Sequence, residues 1–213
     1  MNIRWLGHAC FSLVTERGTR ILMDPYDASV GYPVIPQEAE IVTISHQHHD
    51  HNNRDMLTNN PIVLESTGSH TVEGIAIEAL HSFHDAERGA KRGDNLIFTF
   101  LADGLRVCHL GDLGHMPDDA LLRRIGAVDV LMLPVGGVFT VDAAQACALV
   151  QRMRPRVVLP MHYKTDALAF SLASVADFLA CAGVAATPPL AALTVNATNI
   201  GQVPPVVLLS WAQ

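Results

Sequence analysis

The residues Ile44-Ser45-His46-Gln47-His48-His49-Asp50-His51 decide how this chain is read. Four of its 11 histidines fall in this one stretch, with a carboxylate among them, directly after the β-branched run Glu40–Ser45. On an extended strand end, residues i and i+2 point the same way, so His46 and His48 face one metal ion. The turn that follows directs Asp50 and His51 toward a second ion nearby. A merely polar loop is the bland alternative, but random loops seldom place imidazole and carboxylate at this spacing. These donors suit zinc first, and also accommodate manganese, iron or nickel.

Four side chains cannot fill the coordination of two ions. The reading therefore demands further His or Asp residues at the C-terminal ends of other strands. Three are found: His81 after the apolar run Ile75–Leu80, Asp112 after Val107–Gly111, and His162 after Val157–Met161. In each case a buried strand delivers a polar side chain to the rim of a sheet.

Further strands are expected at Asn2–Leu6, Cys10–Thr15, Arg20–Met23, Ile62–Glu65, Asn95–Leu101, Leu105–Leu110, Asp129–Pro134, Arg156–Pro160 and Val206–Trp211. Asp103-Gly104 reads as a hairpin turn. Helices are expected at Asp118–Ile125, at Asp142–Met153 with Thr140 as its N-cap, and at Ser171–Ala182 closed by Gly183. Strands come first and mixed elements later. That order points to a layered α/β domain, its two sheets packed face to face with helices outside, spanning residues 1–213 as one unit.

With 49% hydrophobic and 16% charged residues, the composition is that of a globular domain with a sizeable core. A net charge of −7 argues against a nucleic-acid partner held on a basic surface. The four cysteines (Cys10, Cys108, Cys147 and Cys181) are scattered and read as reduced thiols. The N-terminus carries no long apolar segment of the signal-peptide kind. Asp177 and Pro188-Pro189 interrupt the apolar region Leu168–Leu193, so it reads as helix and loop and not as a membrane span. A cytoplasmic protein is expected. Self-association stays open, with Leu168–Leu193 either an interface or ordinary core.

Taken together, "HQHHDH" at 46–51, the strand-end His81, "GDLG" at 111–114 and "PMHY" at 160–163 resemble the metallo-β-lactamase superfamily in their order along the chain. With "GHACF" at 7–11, "ILMDP" at 21–25 and "GGVFTVDAA" at 136–144, the chain is similar to the small metal-dependent hydrolases near the ascorbate-phosphate lactonases. The resemblance implies a four-layer αβ/βα sandwich of two mixed β-sheets, with the site at one edge of both sheets. It implies that His46, His48 and His81 hold a first divalent ion, that Asp50, His51 and His162 hold a second, and that Asp112 bridges them. It further implies a metal-activated water as nucleophile, oriented by Asp50, with no protein nucleophile.

Several side chains have two readings. His84, three residues after His81, is an alternative ligand or a residue that contacts substrate or shuttles a proton. The resemblance sets His8 near the metals without making it a primary ligand. Asp24 is expected to accept a proton from a ligand histidine, against the plainer role of a turn-initiating Asp before Pro25. His115 is a candidate to face the pocket, and Lys164 to hold an anionic group of the substrate. Arg88, Lys91 and Arg92 form a small basic group near the site that is either solvated or binds phosphate. His49 is expected to face solvent or to support a ligand from behind, with a substrate-related role as the alternative.

The leading function is hydrolysis of a small ester, lactone or phosphoester, with an anionic small molecule as one candidate substrate. A nuclease is the nearest alternative enzyme, disfavoured by the acidic charge and the length. Redox chemistry at a di-iron site is disfavoured because its relatives carry H-x-E-x-D where this chain has His48. A non-catalytic metal-binding protein on the same fold is the alternative from another class, and the full set of seven ligands argues against it.

Overall fold

The computed structural model describes residues 1–211, so the expected domain range reaches two residues, 212 and 213, that lie outside the described ones. Two six-stranded mixed sheets pack against each other. The first contains β1 (Asn2–Gly7), β2 (Cys10–Val14), β3 (Arg20–Met23), β4 (Ile41–Thr43), β5 (Ile62–Leu64) and, at its edge beside β1, β12 (Leu193–Thr194). The second contains β6 (Gly68–Val72), β7 (Ile75–Phe83), β8 (Asp94–Ala102), β9 (Leu105–His109), β10 (Val130–Pro134) and β11 (Val157–Met161), in that spatial order.

In the first sheet, alternate side chains serve two cores. Ile3, Trp5, Phe11, Leu13, Ile21, Met23 and Ile41 face the main core shared with the second sheet. Leu6, Cys10, Leu22, Val42 and Ile44 face the opposite way, into a smaller cluster with Tyr26, Tyr32, Met56 and Leu168. A strand buried on both faces reads as a nearly continuous apolar run, which is why these segments were legible.

The outer layers differ. Helices α1 (Asp119–Ile125), α2 (Ala143–Met153) and α3 (Val175–Ala182) all follow β9, and Ile125, Ala146, Leu149, Phe178 and Leu179 from them join the main core. The outer face of the first sheet is covered by loops and short 3-10 turns at Ala28–Val30 and Arg54–Met56. No helix among the described residues is long and apolar enough to cross a membrane.

Local expectations are adjusted at several points. Asp142, not Thr140, caps α2, in a reciprocal capping box with Gln145. The hairpin turn at Asp103-Gly104 joins β8 to β9 with φ of 51° and 74°, the left-handed pair that such a tight turn requires. Val206–Trp211 forms only isolated bridges, Val206 to Val158 and Leu209 to Leu190. Two strands that the sequence reading lacked, β6 and β12, are sheet edges. The largest difference concerns β7, which runs to Phe83 and not to Leu80, because β8 pairs with it as far as Phe83↔Asp94.

Candidate metal centre

The strand directions set the site. β3, β4 and β5 run parallel, as do β9, β10 and β11. β1 and β7 are each separated from their parallel set by one antiparallel neighbour, so they point the same way. Six chain segments therefore leave their strands at one rim, and each carries a polar residue there: His8 after β1, Asp24 after β3, His46 after β4, His84 after β7, Asp112 after β9 and His162 after β11. Ligand sites form outside the carboxyl ends of parallel strands for this reason.

The chain turns sharply at these exits. His8, Asp24 and His162 have φ of 53°, 46° and 52°, left-handed values that His and Asp tolerate better than most side chains. Close approach of neighbouring loops needs glycine at two places. A Cβ on Gly114 would lie 2.3 Å from the His84 carbonyl, and one on Gly136 would lie 2.1 Å from the His162 oxygen.

Asp112 is at the centre. Its Oδ2 is 3.2 Å from His162 Nε2, 3.3 Å from both His51 Nε2 and His84 Nε2, and 4.0 Å from His46 Nε2. Asp50 Oδ2 lies 3.5 Å from His51 Nε2 and 3.1 Å from His8 Nε2. Donor atoms converge to within 4.8 Å of one another in three groups: His46, His48 and His84; His8, Asp50, His51 and His162; and His46, His51 and Asp112.

Behind these side chains, Asp24 organises the rings. Its Oδ1 accepts from the Ser45 amide at 2.8 Å, and its Oδ2 accepts from Ser45 Oγ at 2.6 Å and from His51 Nδ1 at 2.9 Å. Ser45 Oγ has one proton and gives it to Asp24, so it accepts from His46 Nδ1, 2.9 Å away. One buried carboxylate thus leaves Nε2 of both His51 and His46 as the free atom that faces the cluster. On the other side, the buried Asn95 carboxamide oxygen receives the Asp112 amide at 2.9 Å, while its NH2 is held by Ser82 Oγ and the Leu110 carbonyl.

The electrostatics are those of a charge cluster out of water. Burial drives the Asp112 and Asp50 carboxyls up, but the imidazoles around them outweigh it and hold both far below the carboxylate range. Burial and the neighbouring His51 push His46 well down. Burial, with His162 beside it, brings His8 down to about 4 against the opposing pull of Asp50. The buried atoms His46 Nε2, His51 Nε2 and Asp112 Oδ1 have no hydrogen-bond partner, a state that costs about 1–3 kcal/mol per group when nothing fills it. A convergent set of imidazole nitrogens and carboxylate oxygens left unsatisfied at its inner face fits divalent metal ions.

Most of the expected site residues meet here: His46, His48, Asp50, His51, Asp112 and His162, with His8 and Asp24 against them. Three are placed elsewhere. His81 still lies inside β7, its side chain 45% exposed and its Nε2 2.9 Å from Asp94 Oδ1, and His84 occupies the strand-end position instead. Lys164 Nζ donates to the carbonyls of Leu168 and Phe170, so it ties down a loop. His115 sits outside the cluster, its Nδ1 3.1 Å from the Met116 carbonyl and its ring 5.5 Å from that of Phe83. His49 is exposed. Ser45 and Asn95 escaped the sequence reading, since neither carries a metal-ligating group. Their only signal was adjacency to His46 and a place at the start of β8, facing the "GD" turn.

Comparison with known proteins identifies the family. Residues 2–162 match the family model described as a β-lactamase superfamily domain. A UPF0173 protein of Pyrococcus furiosus is 34% identical over 186 residues, covering 78% of this chain and 84% of the relative. A UPF0173 metal-dependent hydrolase of Methanoculleus marisnigri is 32% identical over 188 residues, covering 78% and 82%. The crystal structure of a candidate Zn-dependent hydrolase of the metallo-β-lactamase superfamily from Thermotoga maritima superposes with a TM-score of 0.81 at 35% identity, covering 98% of this chain and 97% of that one. This chain belongs to the metallo-β-lactamase superfamily and, with its UPF0173 relatives, to the metal-dependent hydrolases within it.

Proposed function

We propose that residues 1–213 act as one hydrolase domain with a dinuclear, zinc-preferring site that cleaves a small ester, lactone or phosphoester in the cytoplasm. One observation carries this reading: Asp112 Oδ2 lies 3.2–4.0 Å from Nε2 of His46, His51, His84 and His162, while donor atoms converge in separate groups, His46 with His48 and His84, and His51 with His162, Asp50 and His8. His46, His48 and His84 would hold the first ion, Asp50, His51 and His162 the second, and Asp112 both. The cytoplasmic assignment draws on four cysteines that are all free thiols, three of them buried.

Bound divalent ions supply a water of lowered pKa and positive charge against a carbonyl or phosphoryl oxygen. The chain's own part is orientation and proton handling. Asp24 holds the His51 tautomer directly and the His46 tautomer through Ser45. His8 Nε2, 3.1 Å from Asp50 Oδ2, fixes the carboxylate that would orient the attacking water. Burial of His8, Asp24, His51, Asp112 and His162 keeps bulk water from the inner side of the cluster.

The test is metal content of the purified protein with Asp112→Ala, His84→Ala and His81→Ala variants, followed by assays on generic ester, lactone and phosphodiester substrates. Two ions per chain, reduced in the first two variants and retained in His81→Ala, is the expected result. At most one ion, unaffected by Asp112→Ala, would overturn the dinuclear reading.

A further inference from the structure

The loop after His84 brings a guanidinium to the mouth of the cluster, and the structure holds it there. Asp85 is the loop's anchor: Oδ1 accepts from the amides of Glu87 and Gly89 at 2.7 and 2.9 Å, and Oδ2 from those of Lys91 and Arg92 at 2.9 and 2.7 Å. Arg92 then lies 5.4 Å from the centroid of the Phe139 ring, and its Nη2 donates to the Val138 carbonyl at 3.2 Å. That carbonyl is aimed by an unusual backbone, with Gly137 and Val138 in succession at φ of 60° and 63°. A β-branched residue in this region is strained, and strain of this kind persists where the surroundings impose it.

Arg92 lines a cavity of about 430 Å³ together with His46 and His48. The carboxylates in that cavity are already engaged. Glu65 receives Arg54 and Gln47 at 2.6 and 2.9 Å, and Asp94 faces His81 at 2.9 Å. The neighbouring cation Lys91 is paired with Glu87. Arg92 alone of the cavity's charged side chains has no ionic partner among the described residues. From Phe139 an aromatic path returns to the cluster, 6.5 Å to Phe170 and 5.5 Å from Phe170 to His8. Lys164 pins the Phe170 segment, and both Val138 and Phe139 are exposed.

We propose that Arg92 is the specificity-determining residue of the site, pairing with a carboxylate or phosphate group of a substrate whose apolar body lies against Phe139 and Phe170. The inference rests on the hydrolase reading above and names its substrate class: a small ester or lactone that carries a separate anionic group. Guanidinium presents a planar fork that matches both anions, and its position over Phe139 sets the fork before substrate arrives. A neutral substrate leaves this charge unused.

Zinc-loaded protein is titrated with benzoate, phenyl phosphate and the neutral benzamide, and is assayed with phenyl acetate and 4-acetoxybenzoate, which differ by one carboxylate. Arg92→Gln is expected to weaken the anions by about tenfold to a hundredfold, with benzamide unchanged. KM for 4-acetoxybenzoate should rise by a similar factor while phenyl acetate keeps its kcat/KM. Arg92→Lys should recover part of the loss, since it restores charge but not the fork. Whichever of benzoate and phenyl phosphate loses more identifies the anion. Equal losses on all ligands, or none, would overturn the proposal. If wild-type protein turns over neither ester, the hydrolase reading fails, yet the binding comparison still decides the role of Arg92.

Discussion

At the level of single residues, Asp24 does more for the site than its distance from any ligand position implies. It accepts three hydrogen bonds, two from Ser45 and one from His51, and is fully buried. Partners of this kind set ligand orientation and basicity, and their loss typically costs about tenfold to a hundredfold in metal affinity. Asp24→Asn should therefore weaken zinc binding by about that range, measured by competition with a chelator. Ser45→Ala removes only the His46 branch and should cost less. Equal effects of the two substitutions would contradict a role for Asp24 at two histidines.

At the level of elements, two loops hold conformations that sequence propensity resists. Val138 adopts φ of 63° with 61% of its surface exposed, so its side chain gains little from packing. Val138→Asn should relieve strain and raise stability by about 1 kcal/mol in urea unfolding, with the carbonyl to Arg92 still in place. Loop 85–93 depends instead on charge. Burial pushes the Asp85 carboxyl up from 3.8, but the amides of Arg92, Lys91, Glu87 and Gly89 outweigh it and bring it to about 2. A depressed folded pKa contributes stability that is complete above the unfolded value and is lost as pH falls through the folded one. Metal-free wild type should therefore exceed Asp85→Asn in stability at about pH 5, and the gap should close on approach to about pH 2. A gap that stayed constant over this interval would show that the carboxylate's charge is not what orders the loop.

At the level of the molecule, the cluster joins the two sheets. His8, Asp24, His46, Asp50 and His51 follow strands of the first sheet, and His84, Asp112 and His162 follow strands of the second. An ion held from both sides would bind the folded state and not the unfolded one. At a hundredfold excess over Kd, each such ion adds about 2.7 kcal/mol. Removal of one such ion by a chelator should lower Tm by about 5–10 °C for a chain of this size, and removal of two by about 10–20 °C, in a single transition. Separate melting of the two sheets after chelation would mean that the main core does not couple them. The same packing hides thiols: Cys10, Cys108 and Cys147 are buried and Cys181 is exposed, so one thiol should react rapidly with a disulfide reagent before unfolding and four after it.

The sequence by itself determined the two-sheet architecture and most of the His and Asp side chains that converge at its rim, because both are written in local pattern. Apolar runs buried on both faces mark strands, and polar residues that end them mark the rim, as with His46, Asp112 and His162. The histidine on β7 was decided only by tertiary structure. The apolar run stops at Leu80, but hydrogen bonding to β8 carries the strand through His81 and Ser82 to Phe83, so the residue at the rim is His84. Ladder length is a property of two strands, and neither one's sequence contains it. For the same reason, the cation that shares a cavity with His46 and His48 is Arg92 and not Lys164: which positive charge meets an open cavity depends on segments brought together from distant parts of the chain.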